Sequence, residues 1–281
     1  MNLTIWEIVL DALREGAFIT GVVIGLMLLV ELVDLGSRGK VLEKIRSMKF
    51  GGVMIGAVLG VIPGCMGGIA TVSLYTSGAV SFGGLIAMLI ASSGDEAFVM
   101  LSMFPAKAAA TFGILFVVGL AIGIAVDLLG RKYDFFRTNQ AMLHSHEDFE
   151  HIEEEKGLRH LWKHVIVGHL PRVFLWTFSM LLLLGLLGEY VDIESWTKDN
   201  AAFMVLLAVL IGFIPESGPH LLFVTLFAGG LVPYNVLLAS CISQDGHACL
   251  PLLAESKNSF LRAKLINCAI ALAAGYLPML F

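Results

Sequence analysis

The chain carries an internal repeat, and this repeat limits what the chain can fold into more than any other feature. Residues 60–98 lie over residues 212–250 at a constant offset of 152 without a gap. The identical pairs include one proline, Pro63 with Pro215, and several glycines. Because chance similarity between apolar segments does not usually keep proline and glycine in register, we infer that one unit has been duplicated.

The repeated unit is too apolar for an ordinary soluble domain. Hydrophobic residues make up 57% of the chain, and its mean hydropathy is +0.85. Stretches such as 16–30, 108–126 and 173–188 approach the ~20 residues that a membrane-spanning helix needs. Since backbone groups in lipid must find hydrogen bonds within their own segment, the sequence predicts an all-α, multi-pass integral membrane protein.

Positive charge gathers in three regions between the apolar stretches. They are residues 38–49, residues 131–163, and the group of Lys257, Arg262 and Lys264 ahead of the last stretch. Residues 189–200, by contrast, contain only Lys198 as a basic residue. The positive-inside rule then places the three basic regions in the cytoplasm, and residues 189–200 and the N-terminus outside. Each half crosses an odd number of times, which predicts an inverted-topology repeat of the kind found in many secondary transporters.

The repeat also sets the predicted domain boundaries. At an offset of 158 the string Glu31–Asp34 meets Glu189–Asp192, so the duplication reaches the first helix of each half. We predict a first transmembrane repeat over 1–130, a cytoplasmic linker rich in His and Glu over 131–162, and a second repeat over 163–281.

Each repeat is expected to hold about five hydrophobic segments, some of them short. A run of about a dozen residues, at ~1.5 Å per residue, covers only about half of the hydrocarbon thickness. Broken or re-entrant helices that meet near the midplane are therefore predicted. The pattern leaves open whether each half makes five crossings or three crossings and a hairpin.

Polar residues concentrate at the predicted breaks, which the duplication superposes on each other. The six ionisable candidates are Asp95, Glu96, Glu216, His220, Asp245 and His247. An Asp near the membrane centre costs about 2.5–3.5 kcal/mol, so several such groups need a ligand, a partner or a proton. Carboxylates and imidazoles together are the ligands of Mn, Fe, Co or Zn ions, which predicts a transported divalent cation. The alternative is that Asp95 and Asp245 are helix N-caps and that His220 only bonds to backbone.

Further candidates are weaker. Additional ligands at the same breaks are Cys65, Met66, Gln244 and Cys249, although sulfur side chains there also suit buried packing. In the linker, His144, His146 and His151 have a spacing that chelates a divalent ion loosely, or they belong to a solvated charge run. Glu31 and Glu189 are candidate proton carriers, with solvation at a helix end as the alternative.

The motifs at the breaks resemble a known family. Ile62-Pro63-Gly64-Cys65 and the segments 73–79 and 84–92 resemble permeases associated with arsenic efflux. The whole chain, with its polar Gly94-Asp95-Glu96, is more similar to ten-helix heavy-metal exporters and manganese transporters. This resemblance implies export of a metal or metalloid, driven by an ion gradient, in a bacterial inner membrane. The arsenic permeases have paired cysteines after the proline, whereas this chain has Cys65 followed by Met66, which favours a divalent cation over thiol-seeking arsenicals.

The favoured hypothesis is a secondary active transporter, not an enzyme, that exports a divalent transition metal such as Mn or Fe by proton exchange. The sequence contains no phosphate-binding loop ending in GK[ST], so ATP-driven pumping by this chain is disfavoured. It also contains no HExxH motif of a metalloprotease. The metal is substrate rather than permanent cofactor. Expected partners are the lipid bilayer, the metal ion and, as an option, a second copy in a homodimer, with no nucleic acid. An arsenical or other small-solute efflux permease is one alternative, and an intramembrane metalloenzyme with an open coordination position is another.

Overall fold

The computed structural model describes most of the chain, and the described residues contain helices, turns and loops but no strand. The described ranges are 5–36, 50–64, 66–76, 78–136, 170–190, 193–214, 218–245 and 249–280. The all-α membrane fold predicted from the sequence is therefore confirmed.

The described part of the first repeat contains six helices. They are α1 (Ile5–Gly36), α2 (Gly51–Val61), α3 (Met66–Thr76), α4 (Phe82–Ala91), α5 (Glu96–Met103) and α6 (Pro105–Leu129), followed by a 3-10 turn at Asp134–Phe136.

The described part of the second repeat contains seven helices. Its helices are α7 (Leu170–Tyr190), α8 (Ile193–Asp199), α9 (Ala201–Ile211), α10 (Leu221–Ala228), α11 (Tyr234–Ser243), α12 (Cys249–Glu255) and α13 (Lys257–Tyr276), with 3-10 turns at Gly218–His220 and Leu277–Met279. Both ends of α4 and α11 lie at the sequence offset of 152, and so do the first residues of α6 and α13. The glycines that close the turns before α4 and α11, Gly78 and Gly230, have positive φ angles of 74° and 72°.

Three segments with described side chains are long and apolar enough to cross a membrane: Phe82–Met103, Pro105–Leu129 and Lys257–Met279. The first joins α4 and α5, and 94% of its apolar window is buried, against 22% for α6. The broken α4–α5 segment therefore forms the centre of the molecule, whereas α6 presents most of its apolar surface outward, as a lipid-facing helix does.

Helices α2 and α3 form a hairpin. Glycines bring α2 against α4 in parallel, because Gly56 lies on the backbone of Gly84 and Gly60 on that of Met88, where an added Cβ would overlap. At the end of α3, the amides of residues 79 and 80 donate to the Leu74 carbonyl and return the chain to the start of α4. Thus α3 runs back along α2. Each arm has 11 residues, or roughly 16 Å, so the pair has the form of a re-entrant hairpin.

The tip of this hairpin meets the break between α4 and α5. The Gly64 amide donates to the Gly94 carbonyl at 3.1 Å, and Gly64 lies against the Phe98 ring. Gly64 has a φ of 98°, a left-handed conformation that suits glycine at such a tip. This contact places the turn at Pro63-Gly64 beside the break at Ser92–Asp95, in keeping with the prediction that broken helices meet.

The equivalent helices α6 and α13 run in opposite directions. Near the start of α6, Thr111 bonds to the Tyr234 hydroxyl at 3.1 Å, and the neighbouring Asn235 donates to Gly275 at the end of α13 at 2.7 Å. Near the start of α13, the Arg262 guanidinium donates to the Asp134 carbonyl just past the end of α6 at 3.2 Å. The first turns of α13 therefore lie beside the end of α6.

The two repeats meet closely at equivalent residues. The Gln244 side-chain amide donates to the Ser92 carbonyl at 3.1 Å, and these residues are 152 positions apart, the repeat offset itself. Another pair of contacts is also related by this offset, since Tyr75 bonds to Ser259 at 3.0 Å while Lys107 lies over the Phe227 ring at 5.0 Å. Contacts between the two repeats thus keep the sequence offset of 152.

Candidate functional site

The described candidate residues are all buried at the helix breaks. Asp95, Glu96, His220, Gln244, Asp245 and Cys249 are each at most 6% exposed. The other candidates cannot be placed in the site. Glu216, His247, Cys65, His144, His146 and His151 lie outside the described residues. Met66, Glu31 and Glu189 belong to α3, α1 and α7, with side chains outside the described part.

The break of the first repeat holds the buried carboxyl group of Glu96. Helix α4 ends at Ala91 and α5 begins at Glu96, whose side chain is 1% exposed. Neither Glu96 carboxyl oxygen nor the Ser93 hydroxyl has a hydrogen-bond partner among the described residues. Asp95 occupies the N-cap position of α5, yet its side chain makes no capping bond to the helix. Since a buried polar group without a partner is costly, this break has the properties of a ligand or proton site.

The break of the second repeat holds a fully paired carboxylate. Asp245 forms an ion pair with Lys264, accepts a hydrogen bond from Asn267 at 2.7 Å, and accepts another from the Cys249 thiol at 3.2 Å. All four side chains are buried. Its acceptor positions are therefore occupied by donors from α12 and α13.

Lys264 is a functional candidate that the sequence analysis missed. Placing it among the basic residues ahead of the last apolar stretch was wrong, because α13 begins at Lys257 and Lys264 lies two turns inside it with 0% exposure. Arg262 is the basic residue of this group that reaches the end of α6. The available signal was the spacing of Lys264 and Asn267, which puts two polar residues on one face of an apolar helix.

His220 and Gln244 complete the described site. The His220 Nδ1 lies 3.3 Å from the Ser240 hydroxyl, while its Nε2 has no partner among the described residues. Gln244 bonds through its amide nitrogen to Ser92, and its side-chain oxygen has no partner within the described part of the chain. The described site therefore offers a ligand the carboxyl oxygens of Glu96, the side-chain oxygen of Gln244 and the Nε2 of His220.

Most of these open groups belong to residues at or beside the helix breaks. Across the described residues, the buried side-chain atoms without a partner belong, apart from Thr177, to Ser93, Glu96, His220, Gln244 and Asn267. Over the same residues, no group of three or more His, Cys, Asp or Glu side chains is arranged to hold a metal ion. In this conformation the described breaks therefore offer open polar groups but no compact metal cage of those residue types.

The fold and the site define a multi-pass α-helical membrane protein with a buried polar site where broken helices meet, an architecture typical of membrane transporters. The model of the family described as "Putative, 10TM heavy-metal exporter" matches residues 4–182 and 173–281, and the chain belongs to this family. The resemblance drawn from the motifs is thereby confirmed, and metal efflux is the general function that the family supports. No curated protein and no solved structure matches the chain.

Proposed function

We propose that this protein is a secondary active transporter that exports a divalent transition metal, such as Mn or Fe, in exchange for protons. The observation that carries the proposal is the buried Glu96 carboxyl group, which has no partner among the described residues at a helix break. The family description supports heavy-metal export and favours a transporter over the metalloenzyme alternative.

The proposed ligands come from both repeats. Glu96 and Asp95 supply carboxylate oxygens from the first repeat, while His220 Nε2 and the Gln244 side-chain oxygen come from the second. Oxygen and imidazole ligands suit Mn, Fe(II), Co and Zn ions better than soft thiophilic metals. Glu216 and His247, at the corresponding breaks in the sequence, are proposed as further ligands, and Cys249 ranks below them because its thiol donates to Asp245.

Proton exchange follows from the chemistry of the same groups. A carboxyl group removed from water is stabilised by either a bound cation or a proton, so the metal and the proton compete for Glu96. Glu31 and Glu189 are proposed to carry protons between this site and the membrane surfaces. We place the N-terminus outside and the linker in the cytoplasm of a bacterial inner membrane, as the positive-inside rule and the family resemblance indicate.

Alternating access is proposed to use an inverted pair of repeats. The opposite directions of α6 and α13 and the contact of Gln244 with Ser92 support this arrangement. Such a symmetry lets the same two half-structures open the central site to one side and then to the other.

An arsenical or other small-solute substrate has one observation in its favour, the buried ammonium of Lys264. Its charge would attract an oxyanion. However, Asp245 offsets that charge, and the N–H donors of the ammonium are directed at Asp245, Gly212 and Ser243. The open atoms of Glu96 and Gln244 are acceptors, which favour a cation.

The test is transport by purified protein in proteoliposomes with an imposed pH gradient. We expect at least one of Mn²⁺, Fe²⁺, Co²⁺ and Zn²⁺ to move, and we expect Glu96→Gln to abolish this movement. Glu255→Gln is the matched control, because Glu255 is an exposed acid of the second repeat, and it should transport as the wild type does. If no divalent ion moves through folded protein, the metal proposal fails, and arsenite becomes the next substrate to assay.

A further inference from the structure

The Lys264 ammonium lies in a pocket of three oxygen atoms. Its Nζ donates to the Gly212 carbonyl at 2.6 Å and to the Ser243 carbonyl at 3.4 Å, and it forms the ion pair with Asp245. An ammonium has three N–H donors, so each has an acceptor here. Gly212 and Ser243 end α9 and α11, where carbonyl groups lack helical partners and carry partial negative charge.

These oxygen atoms are also a ligand set for a metal ion. Carboxylate and main-chain carbonyl oxygens bind hard and borderline divalent ions such as Mn²⁺. A fourth oxygen is close by, because the buried Asn267 side chain donates to Asp245 through its nitrogen while its own oxygen has no partner among the described residues. The Lys264 ammonium therefore occupies a place that offers a cation both a negative charge, from Asp245, and several oxygen ligands.

The pocket belongs to the second repeat alone. At the repeat offset of 152, the positions that correspond to Asp245, Lys264 and Asn267 are occupied by Ser93, Phe112 and Leu115. The duplication therefore preserved the ends of the helices but placed a carboxylate and a tethered cation at one of the two equivalent positions.

We propose that this pocket is a second cation site, which the Lys264 ammonium fills in the resting protein and from which the exported divalent metal displaces it. The proposal rests on the proposed function and adds Asp245, released from Lys264, as a ligand shared by the two cations in turn. Two cations within about 4 Å of each other repel strongly in a low-dielectric interior, so both do not occupy one carboxylate together. Lysine thus provides the counter-charge that Asp245 needs whenever metal is absent.

The test is binding of Mn²⁺ and Zn²⁺ to the full-length protein in detergent, measured by isothermal titration calorimetry at one fixed pH. Lys264→Gln removes the charge but keeps N–H donors for the Gly212 and Ser243 carbonyls, and we expect it to bind metal about tenfold more tightly or better, since a competing ion is lost. Lys257→Gln is the matched control, an exposed lysine on the same helix, and should bind as the wild type does. Lys264→Met serves as a second variant if Lys264→Gln does not fold.

A second arm separates displacement from simple repulsion. In an Asp245→Asn background, displacement predicts that Lys264→Gln brings no gain in affinity, because the shared carboxylate is gone. A gain that persists would show repulsion through space and overturn the proposal, as would a Lys264→Gln affinity equal to or below that of the wild type. In both cases metal still binds, and the proposed function stands. Absence of metal binding in the wild type and every variant would overturn the displacement and the metal proposal together.

Discussion

The break between α4 and α5 and the break between α11 and α12 occupy equivalent positions in the two repeats, but they treat buried charge in opposite ways. In the first repeat, Glu96 is buried with neither carboxyl oxygen paired among the described residues. In the second, Asp245 is bonded to Lys264, Asn267 and Cys249. The first break has acceptor atoms available for a ligand, whereas in the second break the Lys264 ammonium already pairs with the carboxylate.

This difference shows that the two repeats kept the same backbone features but differ in their charged residues. The helix bounds, the turn glycines and the reciprocal contacts across the repeats keep the offset of 152. The charged residues do not, since Ser93 stands opposite Asp245 and Phe112 opposite Lys264.

The largest expected effect is a loss of transport without a loss of stability when the Glu96 carboxyl group is removed. We expect Glu96→Gln to reduce metal transport about 100-fold or more, since a lost metal ligand costs at least as much as a lost outer-shell partner. Because Gln has nearly the same shape and removes a buried acid that has no hydrogen-bond partner among the described residues, thermal unfolding in detergent should occur at the wild-type temperature or above it. A large fall in that temperature would mean that Glu96 has a structural partner and would remove the basis of the comparison.

The paired carboxylate should behave in the reverse manner. Asp245→Asn leaves the Lys264 ammonium buried without its counter-ion, and we expect a loss of about 3–5 kcal/mol in the free energy of unfolding. The double variant Asp245→Asn with Lys264→Met removes both charges and should recover much of that loss. The measurement is a double-mutant cycle of unfolding free energies. Additive losses from the two single variants would show that the ion pair contributes no coupling energy.

Much of this architecture was predictable from the sequence, because the duplication keeps Pro63 and Pro215 in register and marks the breaks. The form of the short segments was not predictable. Whether α2 and α3 cross the membrane separately depends on Gly56 and Gly60 packing against α4, and such long-range contacts leave no periodic signal in a run of glycine and aliphatic residues. The hairpin therefore emerged only with the tertiary structure.

The charge state of the site was also beyond the sequence. Hydropathy treats a lysine near the edge of an apolar run as a flanking loop residue, but Ser256 caps α13 by accepting the Ser259 amide at 3.1 Å and starts the helix early. This cap carries Lys264 two turns inward to Asp245. Glu96 and Asp245 are both acids within two residues of a glycine, so the sequence does not distinguish them. They differ because Lys264 of α13 reaches Asp245.

The packing of the breaks, unlike their charges, should be symmetric. Gly60 and Gly212 are equivalent positions, and an added Cβ would overlap Met88 and Ala91 in the first repeat and Ser243 in the second. We expect Gly60→Ala and Gly212→Ala to destabilise the protein by similar amounts, about 1–3 kcal/mol each, as overpacking usually does. Gly113→Ala, at an exposed helical glycine with nothing within 4 Å, is the control and should be neutral or slightly stabilising. Strongly unequal losses would mean that the two backbones are less alike than the contacts indicate.

The smallest effect concerns the contact that joins the breaks. Gln244→Ala removes the 3.1 Å hydrogen bond to the Ser92 carbonyl, for which we expect a loss of about 1 kcal/mol in unfolding free energy. The same substitution also removes a proposed metal ligand, so metal affinity should fall.

Gln244→Glu tests the two roles separately, because it keeps an oxygen ligand and adds negative charge while losing the N–H donor to Ser92. Metal affinity retained by Gln244→Glu and lost by Gln244→Ala would assign the oxygen to the ion and the nitrogen to the junction of the repeats. If both variants bind metal as the wild type does, Gln244 serves only as that junction, and the ion is held by Glu96 and the groups around it.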